Sequence, residues 1–154
     1  MCLRRIIKER VLSKDLRVFR LVMAGDRGLV SPYKVYPVDA GCNEVVERAY
    51  IQCEDDGSFY PAGFHCYAKR KYAKSAATKY TSAFCPHGVL LGIIPAGTSV
   101  ILGEEDIFIP RGNGREQACP VSIIVTPVLF HKEEDYTKLR NQLIKGAYDA
   151  AIRL

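Results

Sequence analysis

The sequence predicts a single α+β domain: a mixed, mostly antiparallel sheet with one internal helix, about residues 69–82, and one C-terminal helix, about 135–153. Three observations carry that reading. Short apolar stretches of strand length alternate with Gly- and Pro-bearing turns through most of the chain. Only two stretches, at 69–82 and after 135, repeat apolar residues at helical spacing. The length of 154 residues suits one domain covering 1–154, and no repeat, low-complexity tract or linker divides it.

The elements follow in order. "LRVFRLVM", 16–23, reads as a strand with Leu16, Val18 and Val22 beside Arg20 on one face and Phe19, Leu21 and Met23 on the other. Two largely apolar faces place it inside a sheet. "AGDRG", 24–28, is turn chemistry, and "SPYKVYPV", 31–38, is extended and poor in ladder donors because of its prolines. An alternating strand is expected in "NEVVERAYIQC", 43–53, before the turn "EDDGS". The helix at 69–82 carries Tyr72, Ala73, Ala76, Ala77 and Tyr80 on one stripe, and "CPHG" closes it. "GVLLGII", 88–94, turns at Pro95-Ala96-Gly97 into "TSVILG", 98–103, as a hairpin. "DIFIP", 106–110, is a short strand, "RGNG" a loop, and "PVSIIVTPVLF", 120–130, one long strand bent or edged at Pro127. Asp135 is the expected N-cap of the last helix, whose inner face is Leu139, Leu143, Ala147, Ala150 and Leu154.

The charge is uneven. Lys and Arg number 22 against 17 acids, a net +5. Arg4, Arg5, Lys8, Arg10, Lys14, Arg17 and Arg20 crowd the first twenty residues, and Lys69, Arg70, Lys71, Lys74 and Lys79 follow one another with no acid between. The acids gather at 104–106 and 133–135. Such segregation points to anionic partners, from a phosphate-bearing small molecule to a polynucleotide, or to two solvated faces. Six cysteines show no C-x-x-C pair and no finger spacing to histidine, so no metal is expected and reduced, mostly buried thiols are. "MCLRRIIKER" holds no signal-peptide apolar stretch, and no run reaches membrane-span length. A cytoplasmic protein without membrane contact is the expectation. The alanine-rich face of the last helix suits core packing or a second copy.

His65 and Tyr67 share one face of an extended segment, with Phe64 and Cys66 on the other. An imidazole beside a phenol can clamp a phosphate and a base, and Gly63 allows close backbone approach; the alternative is a core histidine satisfied by a carbonyl. Arg20, on an apolar face, requires either an internal carboxylate or a ligand anion. Tyr33 in "SPYKVY" could cap a base or belong to the core. The nucleotide loops, the zinc-protease motif and the serine elbow are absent. The paired-carboxylate option would have to draw on Glu104, Glu105, Asp106 or Glu116.

"MCLRR", "LRVFRLV" with "GLVSPYKVY", "GFHCYAKRKYAK" and "IIPAGTSVILG", in that order, resemble short phage, prophage and gut-bacterial proteins over about residues 1–125. The last 23 residues lie outside that pattern. The resemblance implies a small viral-type protein acting in the host cytoplasm in counter-defence or host manipulation, with a host defence protein as a further partner. A fainter likeness is to the ADP-ribosyltransferase fold: Arg20, Gly63-Phe64-His65, Ala77 to Tyr80, Pro95 to Thr98 and Glu116 fall in its order. The S-T-S-like triplet is absent, and "REQ" stands where E-x-E is usual. Three functions are therefore expected in turn. The first is a binder, without cofactor, that retains a nucleotide-like anion through Arg20, Tyr33, His65 and Tyr67. The second is an NAD-using transferase with Glu116 as its catalytic residue. The third is an inhibitor acting through the basic surface of Lys69, Arg70, Lys71 and Lys74.

Overall fold

The computed structural model describes residues 2–32, 37–46 and 49–153. Its strands are β1 (Arg5–Val11), β2 (Leu16–Gly25), β3 (Gly28–Val30), β4 (Gly41–Glu44), β5 (Tyr50–Gln52), β6 (Phe59–Pro61) and β7 (Phe64–Tyr67), then β8 (His87–Ile94), β9 (Ser99–Pro110), β10 (Glu116–Thr126) and β11 (Val128–His131). Helix α1 (Arg70–Tyr80) lies between β7 and β8, and α2 (Glu133–Ile152) ends the chain. This is the expected α+β arrangement, and every described strand pair is antiparallel.

The main sheet runs β1-β9-β10-β7-β2-β8-β11-β4, with β3 on β2 and β5–β6 as a separate pair. β2 sits inside it, as its two apolar faces require. The order also dictates a curl. β10 and β11 stand four places apart, about 19 Å in a flat sheet, yet only Pro127 separates them and two residues reach about 7 Å. The sheet must therefore roll until the end of β10 meets the start of β11, and β7 touches β2 at only one described pair, Phe19–Tyr67. Leu129 of β11 then packs in one cluster with Val18, Cys66, Ile94 and Ile124, so these residues line the enclosed side. Val22, Leu29, Val38 and Leu90 extend that layer beneath Leu143 of α2.

The outer side carries α1. Ala73, Ala76 and Ala77 are its buried residues, and their small size lets the helix lie close on Leu21, Tyr67 and Ile123. Tyr80, expected on the same stripe, is largely exposed instead.

Several boundaries differ for physical reasons. The basic N-terminal stretch forms edge strand β1; a register shift between Ile6 and Lys8 breaks the period-two pattern that would have revealed it. β9 is continuous through Glu104–Asp106 because Arg5 pairs with Glu104 at 2.8 Å and Arg4 with Asp106 at 3.0 Å. Those pairs also join a cation cluster to an acid cluster, so charges apart in sequence meet in space. The stretch 43–53 contributes to two sheets, and the strand expected over 120–130 divides at Pro127 into β10 and β11. Lys132, not Asp135, is the α2 N-cap, while Glu133, Glu134 and Asp135 occupy the first turn, where the helix dipole favours them. Tyr136 docks α2 by accepting the Leu29 N–H at 3.1 Å, its hydroxyl filling the space where a side chain at Gly28 would stand.

Candidate functional site

His65 and Tyr67 do share a face, and it is the outer one, under α1 and against β10. The imidazole is saturated there. Its Nδ1 lies 3.2 Å from the Gly63 carbonyl, which can only accept, so Nδ1 carries the hydrogen. Nε2 therefore accepts from the Tyr60 hydroxyl at 3.0 Å, and that oxygen accepts the Leu3 N–H at 2.9 Å. Burial pushes His65 down to about 4, so this chain of bonds holds a neutral ring at neutral pH. The close approach that Gly63 permits is to the Thr126 carbonyl of the neighbouring strand, 2.7 Å from where a Cβ would sit. This is the core-histidine arrangement, not a clamp open to a ligand.

Tyr67 lines a narrow cleft of about 20 Å³ between α1 and β9, together with Ser75, Ala76, Lys79, Tyr80 and Glu105. That volume suits a single water. Glu105 has a buried Oε2 with no hydrogen-bond partner among the described residues, and burial, reinforced by Glu54 and Asp106, raises its carboxyl to about 7. Tyr33 lies outside the described residues.

Arg20 lies on the opposite, enclosed side, so the sheet separates it from His65. Only 5% of the residue is exposed. Its guanidinium carbon stands 4.7 Å from the centre of the Phe64 ring, and Nη1 is buried with no hydrogen-bond partner among the described residues. Burial lowers its pKa, and the one opposing influence is the Cys66 sulfur. That thiol is itself pushed up to about 12 by burial and is neutral at pH 7. Among the described residues this buried cation thus has no carboxylate beside it, an arrangement that costs several kcal/mol unless a counter-charge arrives.

His131 was not foreseen. It is fully buried on the same enclosed side, two residues after Leu129, and its ring leans over Gly92, with Cε1 3.3 Å from where a Cβ would be. Nδ1 bonds the Leu91 carbonyl at 2.9 Å, and Nε2 has no partner among the described residues. Burial, with the Arg20 charge adding to it, lowers its pKa to about 4. The alternation of Leu129 and His131 about exposed Phe130 was the available clue, one residue beyond the expected strand end.

Elsewhere, Lys69, Arg70, Lys71 and Lys74 are exposed on α1, and none forms an ion pair among the described residues. Glu116 opens β10, half-exposed and 3.4 Å from Lys79. It lies eight residues along the strand from Ile124, which pairs with Cys66, so about 27 Å separates it from the level of Arg20. All six cysteines are free, and only Cys53 and Cys66 are buried, fewer than expected. No helix among the described residues is long and apolar enough to cross a membrane.

No family model, no curated protein and no solved structure matches the chain. The functional reading therefore rests on residues and their geometry.

Proposed function

We propose that the protein binds an anionic small molecule through Arg20 on the enclosed side of the sheet and retains it unchanged. The supporting observation is the 5%-exposed guanidinium whose Nη1 has no partner among the described residues, and beside which they place the Phe64 ring and a neutral thiol but no carboxylate. An oxyanion, phosphate or carboxylate, supplies the charge and the acceptor that the described residues do not. Sequestering a signalling anion is the counter-defence role that the phage resemblance implies. The transferase alternative needs Glu116 at the same ligand, and its distance along β10 favours binding instead. Denaturing the purified protein and weighing the released small molecules, beside a thermal-shift panel of phosphates, carboxylates and nucleotides, tests the reading. An intact anion and a stabilising shift are expected; no released anion and no shift would remove it.

A second reading has its own observation. Lys69, Arg70 and Lys71 crowd the start of α1, which has no acid in its first turn and no side-chain cap. A polyanionic surface would offset that unfavourable alignment with the helix dipole. Reversing Arg70, Lys71 and Lys74 would then abolish activity, while Arg20→Met would leave it intact.

A further inference from the structure

Resting on the Arg20 reading, we propose that the bound group is a phosphate monoester retaining one proton, with His131 as the residue that selects it. The enclosed side presents two buried polar atoms without partners among the described residues, and they are of opposite kind. Nη1 of Arg20 is a donor. Nε2 of His131 is an acceptor, because the Leu91 carbonyl, 2.9 Å from Nδ1, can only accept and so fixes the hydrogen on Nδ1.

The register brings the two to the same side of the sheet. Arg20 pairs with Leu90 on β8, and Gly92, two residues on, faces the same way. Gly92 has no side chain, and Leu129 Cδ1, 2.7 Å from where a Cβ would be, shares the space above it with the His131 ring, whose Cε1 is at 3.3 Å. Phe64, against the guanidinium, packs in the same cluster as Leu129, His131's neighbour on that face. The Arg20 charge is also felt at the imidazole.

A ligand that satisfies both atoms must accept from the guanidinium and donate to the imidazole. Sulfate, a carboxylate and a phosphate diester carry only acceptor oxygens at neutral pH, and would set a lone pair against the Nε2 lone pair. Protonating the imidazole would remove that conflict, but burial and the neighbouring guanidinium hold it neutral down to about 4. A monoester, whose second proton leaves near pH 6, offers an anionic oxygen and an O–H together. Inorganic phosphate and a nucleoside monophosphate share this chemistry.

Calorimetric titration of the full chain at pH 6 with inorganic phosphate, a nucleoside 5′-monophosphate, sulfate and dimethyl phosphate tests the selection. Phosphate, the monophosphate or both should bind about tenfold or more tightly than sulfate and the diester, and His131→Phe should level the series while keeping sulfate affinity. Whichever of the first two binds more tightly names the source of the group. If His131→Phe does not fold, the wild-type series decides alone. Equal affinity for phosphate and sulfate overturns the selection by His131 and leaves the Arg20 reading standing. Binding of none of the four overturns both.

Discussion

Replacing Glu105 by glutamine isolates the cost of a buried carboxylate. Burial pushes the carboxyl up to about 7 from a reference value of 4.5. Its folded pKa is raised, so between those values the native state holds more protons than the unfolded chain. Stability is then fullest below about 4.5, falls as pH rises, and is lost once the group ionises above 7. At about 1.36 kcal/mol per unit, the pH-dependent loss is about 3 kcal/mol, or about 6–12 °C in melting temperature for a chain of this size. His65 and His131, both depressed to about 4, tilt stability the other way between 6.5 and 4, so the readout is the difference between two curves. Melting temperatures of wild type and Glu105→Gln at pH 5 and pH 8 supply it. The variant should gain on wild type by most of that amount between the two pH values. Parallel curves would refute the argument, whatever their offset.

Two further outcomes follow from the outer layer and from α1. Tyr60→Phe leaves the Leu3 N–H and His65 Nε2 without their partner, so a loss of about 2–4 kcal/mol is expected in urea unfolding, with anion affinity unchanged because the sheet lies between. An affinity change would show that the two layers are coupled. Lys71→Glu puts an acid in the first turn of α1, which should stabilise the fold by about 0.3–1 kcal/mol and weaken retention on heparin at low salt. Lower stability would mean that the cation packing on Tyr72, 4.8 Å away, outweighs the dipole.

Local pattern made much of this architecture legible. Alanines at helical spacing located α1, and the doubly apolar "LRVFRLVM" identified an inner strand. An arginine on its apolar face marked Arg20 as a residue needing a counter-charge. Legibility ended where distant segments meet. Arg4 finds Asp106 across 102 positions, which turns an apparent basic cluster into an ion-paired edge. His65 is occupied by Tyr60, five residues earlier, and the contact depends on how the chain passes from β6 in the small sheet to β7 in the main one, which local pattern does not set. The placement of Arg20 and His65 on opposite sides followed from strand parity, since β2 and β7 pair at Phe19–Tyr67 and so set Arg20 beside Cys66. The two sequence segments gave no register, so that parity could not be read.

The charge on Arg20 has no counter-charge among the described residues, and Arg20→Met addresses that most directly. Wild type and variant would be dialysed free of phosphate and melted with and without it. Exchanging an uncompensated buried cation for an apolar side chain should leave the anion-free variant at least as stable as wild type, by up to about 4 kcal/mol, with phosphate raising only the wild-type melting temperature. A variant several degrees less stable than anion-free wild type, with phosphate shifting neither protein or both equally, would contradict the account.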